Sequence, residues 1–255
     1  KTGNVEEKPI DIGCYEYHYI SRFSTMDKIY VAEVSSGRGT GENWENATDD
    51  LRGAIAGASN PEQNATTHRT IYVKGGSYAS LQINDEGAAY LINTSNPGIN
   101  NLNLTVKGSC TGIGLGSKAV QNFSQPSYIG VHPEATKATK QLMAISVNSA
   151  KHVTIEGFSF SNPESNNEHR GTGIQLNHVK KGAQVTLKQT AFRGNQQGVA
   201  VGQTALQTDK GKFLAVNTLF ADNETGLANQ TSDQITLVNT TFANNKVADM
   251  TETVS

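Results

Sequence analysis

Cysteine is nearly missing: two residues, Cys14 and Cys110, in 255. Two thiols cannot staple a fold of this size, and neither stands in a C-x-x-C or metal-ligand spacing. A Cys14–Cys110 bridge requires the N-terminal segment to lie on the body; the alternative is two buried or partly buried thiols. Neither sign of charge is in marked excess, with 21 Lys and Arg against 23 Asp and Glu. The formal net charge is −2, and no basic excess exists to track a phosphate backbone, which argues against nucleic acid as a partner. No apolar run approaches the roughly 18 residues that cross a bilayer. No leader precedes Lys1, as expected of a mature form or an excised piece. There is no H-E-x-x-H, no G-x-S-x-G and no phosphate-binding glycine loop: "GIGLGS" at Gly112 lacks the lysine and the following helix.

What the chain has is Asn, Thr, Ser and Gly, a composition that suits many short strands and turns. N-x-S/T triplets such as Asn46-Ala-Thr48 and Asn239-Thr-Thr241 follow from it by chance and imply no glycosylation. The chain also repeats itself. "VTIEGFSF" starts at Val153, "VTLKQTAF" at Val185, "FLAVNTLF" at Phe213 and "ITLVNTTF" at Ile235. The four copies align Phe160, Phe192, Phe220 and Phe242, and the last three continue to Asn195, Asn223 and Asn245. Gly173, Gly198 and Gly226 then open a further short strand, "GIQL", "GVAV" and "GLAN". Alternation with period two means strand. The shortest spacing, 235 minus 213, is 22 residues, one turn of a coil of three short strands; the longer turns are the same unit with loops let out at 163–170 and near 206–212. One such unit cannot bury its own apolar face, whereas stacked copies build a continuous core. Residues 141–250 therefore read as the regular turns of a parallel β-helix, with Phe on Phe inside and Asn on Asn at the bends, where asparagine also tolerates left-handed backbone. A β-sandwich would place hairpins between the strands and would not need this register.

One helix is expected, at residues 44–58: Trp44, Ala47, Leu51, Ala54, Ile55 and Ala58 fall on one side. Asp49 and Asp50 stand near its start, where the helix dipole favours acids. An amphipathic helix there would cap the open N-terminal end of the coil. Residues 109–140 read as excursions from early, irregular turns.

These residues carry a resemblance. "KIYVAEVSSGRGTGENWENATDDLRGAIAGA" followed by "TIYVKGGSY" resembles the opening of secreted right-handed parallel β-helix (pectin-lyase-like) surface proteins of Bacteroides-type bacteria. The F-x-x-N turns at Phe192, Phe220 and Phe242 resemble the repeats of chlamydial polymorphic outer-membrane adhesins, without the companion Gly-Gly-Ala-Ile motif. "PIDIGCYEY" (residues 9–17) resembles a segment that closes bacterial β-helix domains. Residues 1–20 are accordingly expected to be the closing piece of a preceding module, and 28–255 a β-helix domain truncated at its C-terminus. The resemblance implies a right-handed coil in a secreted or cell-surface setting, with neighbouring modules and polysaccharide or host-surface glycan as the partners to look for. It says little about activity, because this fold hosts enzymes, adhesins and stalks alike.

Enzymes on such coils need acids converging on one outer face, either to hold Ca²⁺ against a uronate beside an Arg or Lys base, or to act as a carboxylate pair. The regular turns do not supply them. The first outer face carries Thr154, Glu156, Thr186, Lys188, Leu214, Val216, Thr236 and Val238; the second carries Ser159, Arg193, Ala221 and Ala243. Glu156 and Lys188 read as an exposed ion pair on neighbouring strands. With Arg193 they are the polar candidates for ligand binding. Leu214, Val216, Leu219 and Val238 are unusual on an outer surface and predict a cover: a loop, the N-terminal tail or a partner. The candidate catalytic residues are Glu164, Glu168, His169 and Arg170 in the let-out loop, which the acids Asp49, Asp50, Asp85 and Glu86 of the first half could approach. His152 and His178 read as surface residues bordering strands. The sequence thus points to a structural or adhesive, glycan-binding module without catalysis, cofactor or metal site. The alternative is a polysaccharide lyase or glycoside hydrolase, with Ca²⁺ in the lyase case.

Overall fold

A computed structural model describes residues 22–62, 67–94, 99, 101–135, 139–148, 150–162, 171–202, 211–229 and 235–252. The let-out loop 163–170 and the segment 1–20 lie outside these.

The described chain opens with a short helical turn at residues 22–24, then β1 (Lys28–Val31) and the helix α1 (Leu51–Ser59). Six three-strand rungs follow. They are β2–β4 (His68–Lys74, Gly76–Tyr78, Ala88–Asn93), β5–β7 (Leu102–Cys110, Ser127–Ile129, Gln141–Val147) and β8–β10 (Lys151–Glu156, Phe158–Phe160, Thr172–Val179). After them come β11–β13 (Gln184–Lys188, Ala191–Arg193, Gln197–Val201), β14–β16 (Lys212–Val216, Leu219–Ala221, Thr225–Asn229) and β17–β19 (Ile235–Val238, Thr241–Ala243, Ala248–Glu252). Each strand pairs in parallel with its counterpart one rung away, giving one seven-stranded and two six-stranded sheets. The molecule is a right-handed parallel β-helix, a three-sided prism with its core inside. We call the sheet that contains β1 the first, the sheet of β3 the second and the sheet of β4 the third.

The repeat works as the side-chain chemistry requires. Phe160, Phe192, Phe220 and Phe242 stack face to face with ring centroids 5.0–5.1 Å apart, one ring per rung. The first three are fully buried. The third-strand glycines make room for them: a Cβ on Gly198 would fall 2.5 Å from the Gly226 carbonyl oxygen and 2.8 Å from the Phe220 ring. The asparagines form a ladder. Asn195 Nδ2 donates to Asn223 Oδ1 (2.9 Å) and Asn223 Nδ2 to Asn245 Oδ1 (3.1 Å). The same Oδ1 atoms accept from the backbone N–H of the preceding asparagine, and each Nδ2 also donates back to the carbonyl of the preceding rung's phenylalanine. At the last rung Asn245 Nδ2 donates instead to Asp249 Oδ1. The ladder starts one rung earlier than the repeat indicates, with Asn162, whose N–H donates to Asn195 Oδ1 at 2.8 Å.

Several expectations are corrected. The left-handed residue at this bend is not the ladder asparagine but the one before it: Gly194, Asp222 and Asn244 have φ of 67°, 58° and 53°. The helix is shorter than 44–58. Trp44–Asn46 is a separate 3-10 turn, because the Asp50 carboxylate caps a new start by accepting from Gly53 N–H at 2.7 Å. Leu51, Ala54, Ile55 and Ala58 do enter the core. Trp44 instead stacks edge-on with Tyr30 outside the coil and donates its indole N–H to Gly114 O. Within 109–140, Ser127–Ile129 is a regular rung strand. On the second outer face the register sets Ser159 beside Ala191, and Arg193 beside Ala221.

The N-terminal end is locked by a residue whose inward parity it shares with Ile71 and Val73. Arg69 is 1 % exposed and donates to the carbonyls of Phe23 (3.1 Å), Ser24 and Gly57, tying the entering chain to the helix. Burial lowers its pKa to about 10, against the opposing pull of Asp27 and Glu62. Cys110 is a free, buried thiol, and Cys14 lies outside the described residues.

Candidate functional site

The residues singled out on the first two faces do not converge. Glu156 lies in register with Lys188, as expected, but its ion pair is with Lys107 on the other side, at 3.9 Å. Arg193 pairs with Asp222 at 3.6 Å, both side chains more than half exposed. An exposed pair such as Arg193–Asp222 contributes well under ~1 kcal/mol, and neither pair lines the hollows described below. Leu214, Val216 and Leu219 are half-buried, and Val238 is 42 % exposed. Glu164, Glu168, His169 and Arg170 lie outside the described residues.

Two hollows remain. The smaller, about 190 Å³, takes in Glu33, Asp49, Asp50, Arg52 and Tyr78. Its polar groups serve the fold. Asp50 caps α1, and the Tyr78 hydroxyl donates to Lys74 O at 2.7 Å. Burial raises the phenol pKa of Tyr78 and of neighbouring Tyr90, so both stay neutral.

The larger hollow is a trough of about 790 Å³ across the outer face of the third sheet. β4, β7 and β10 supply its walls: Asn93, then Gln141 and Ser146, then Gln175, Asn177 and His178. Glu86, on the turn before β4, closes one end; Asn148 and Lys180 flank the other; Gly202 lies on the next rung. A β-bulge shapes the second end. The pairing of β10 with β7 shifts between Leu176 and His178, so that His178 rather than Asn177 faces Ser146. Such an inserted residue redirects side chains, and bulges cluster beside binding sites.

Some of these groups are held in place. Gln141 Nε2 donates to Glu86 O at 3.2 Å. Asn148 is fixed by fully buried Thr94: its Nδ2 donates to Thr94 O (3.1 Å) and its N–H to Thr94 Oγ1 (3.0 Å). Lys151 Nζ donates to the same carbonyl at 2.6 Å, and burial lowers its pKa. The side chains of Asn93, Ser146, Asn177 and His178 make no such bond among the described residues.

Distance limits the chemistry. Glu86 adjoins Gln141, while His178 is in register with Ser146, five residues along β7. Five strand steps span roughly 16 Å. Carboxylate pairs that cleave glycosidic bonds stand about 5–9.5 Å apart, and direct proton transfer needs about 3 Å. Measured along the backbone, Glu86 and His178 thus stand at opposite ends of the trough. Asp49 and Asp50 belong to the other hollow.

The trough was not foreseen. Its signal lay in polar residues of "YLIN", "MAIS" and "IQLNH", but 9, 11 and 11 residues precede β4, β7 and β10 where the later rungs use three or four, and the bulge adds one residue. Aligning these strands from the sequence was therefore out of reach. Comparison with known proteins brings no match: no family model, no curated protein and no solved structure is similar to this chain.

Proposed function

We propose that this chain is a structural and adhesive β-helix module that binds an extended glycan in the trough of the third sheet. The observation that carries the reading is the row of amide and hydroxyl side chains with unused hydrogen-bonding capacity, Asn93, Ser146 and Asn177, gathered around a bulge. An amide both donates and accepts, as does every sugar hydroxyl, so such a row matches a hydroxyl-rich polymer. Other ligand classes fit less well. A peptide adding as a strand needs a free sheet edge, whereas the trough crosses paired strands. Drug-like apolar ligands need mostly apolar walls. Nucleic acid needs a row of cations, and among the described residues Lys180 is the one Lys or Arg lining the trough. A secreted or cell-surface setting is part of this reading and is supported by the resemblance of residues 28–78. A lyase or hydrolase is less well supported, because the backbones of Glu86 and His178 lie roughly 16 Å apart at opposite ends of the trough.

A glycan array followed by calorimetry tests the proposal. Binding without turnover is expected, and Asn177→Ala should weaken it about tenfold, as for one lost hydrogen bond with its partner left unsatisfied. Release of reducing ends or of an unsaturated product from any glycan would replace this reading with the enzymatic one. An array with no bound glycan would leave only the structural role.

A further inference from the structure

The corner between the first and second sheets carries an excursion, residues 111–126, that the trough does not use. Its tip is rigidly held and apolar. Thr111 N–H donates to Val120 O (2.9 Å) and Val120 N–H to Ile113 O (3.0 Å), closing a narrow loop. Trp44 Nε1 donates to Gly114 O and Gly116 N–H to the Tyr30 hydroxyl, both at 2.8 Å, so the tip is pinned to the body. Yet Ile113 and Leu115 are 66 % and 54 % exposed, and Val120 is 47 % exposed. A pinned loop that keeps large aliphatic side chains in water is poised for a contact. Cations surround it: the stems of Lys74 and Lys28 lie against Gly112 and Gly116, and Lys118 is on the loop itself. The one acid paired among them is Asp27, 3.6 Å from Lys28 and exposed.

We infer that this tip docks on an anionic lipid surface, with Ile113 and Leu115 entering the interface and Lys28, Lys74 and Lys118 against the headgroups. A small convex apolar tip ringed by amino groups suits the boundary between headgroups and acyl chains, which takes up aliphatic side chains and attracts cations. A protein partner would more naturally present its anchors to a pocket, and this tip has none. The placement is consistent: the third sheet does not share this corner, so a docked prism leaves the trough free.

The test is sedimentation with vesicles of phosphatidylcholine, with and without phosphatidylglycerol, using the full chain. Trp44 is the sole tryptophan and bonds to the tip, so its emission gives a second readout. The protein should pellet with the anionic vesicles, remain in solution with phosphatidylcholine alone, and shift its Trp44 emission on binding. Each lysine near the surface is worth about fivefold, so Lys28→Gln, Lys74→Gln and Lys118→Gln together should weaken binding by about 100-fold. The exposed pair Ile113→Ser and Leu115→Ser should abolish the pellet while leaving the melting curve and glycan binding intact. No pelleting with anionic vesicles, or pelleting undiminished in the Ile113→Ser/Leu115→Ser variant, overturns the inference.

Discussion

At the scale of single residues the molecule is governed by what stands one rung away. A phenylalanine ring inside the coil touches the ring before it and the ring after it, so removing one harms two contacts. Phe220 lies between Phe192 and Phe242 and is fully buried. Phe220→Ala should destabilise the fold by about 3–5 kcal/mol, measured by denaturant unfolding; a loss below ~1 kcal/mol would mean that the rings do not stack. Cys110 makes a different kind of prediction. Burial pushes its thiol up to about 11, with Lys107 opposing, so at pH 8 almost none is thiolate. In a Cys14→Ser background, iodoacetamide should label Cys110 only after denaturation. Rapid labelling of the native protein would show the thiol to be open.

Elements show how much was legible beforehand and why the rest was not. The phenylalanine and asparagine spacing gives the strands and their register, because stacking forces each rung to repeat the one below. The helix was legible only in part. Helical periodicity runs from Trp44 to Ala58, but it cannot see that Asp50 offers a better cap than anything at 44. Nor can it see that Trp44 finds Tyr30 and Gly114 outside the coil. The ion pair of Glu156 was misassigned for a related reason: neighbours exist on both sides of a central strand, and a repeat starting at Val153 hides β5 and with it Lys107. Two substitutions separate cap from core at α1. Asp50→Ala should cost about 1 kcal/mol, the loss of one N-cap. Leu51→Asp places a charge among Ile55 and Ala58 and should lower the melting temperature far more. Equal melts for the two variants would remove the helix from its capping role.

On the scale of the whole molecule, the two ends and three sides divide the work. One end is closed by α1 and Arg69. The third sheet carries the trough, and the opposite corner carries the apolar tip. No helix among the described residues is long and apolar enough to cross a membrane. Both proposed surfaces come from the first three rungs and their excursions, where the sequence is least repetitive. The last three rungs are the most regular, and of the trough's lining only Gly202 follows one of their strands. That division explains why the repeat revealed the architecture and not the trough: a site requires departure from the repeat, and departures are what a repeat-based alignment discards.

The uniform joins of those last rungs have a further consequence. Phe213 pairs with Val185 below and Ile235 above, Phe220 with Phe192 and Phe242, and Asn223 bonds both Asn195 and Asn245. Because every join is alike, Lys212 can be followed by Ile235 as well as by Phe213. Excising residues 213–234, a block of 22, should yield a soluble, cooperatively folding protein in which Phe192 meets Phe242 directly. Small-angle scattering should find it one strand spacing, about 4.8 Å, shorter along the prism axis. Removing 20 or 24 residues from the same place should yield aggregates, since the rings and amides would fall out of step. Length in this molecule is quantised, and its evolution can proceed by whole steps that change reach without touching either surface at the other end.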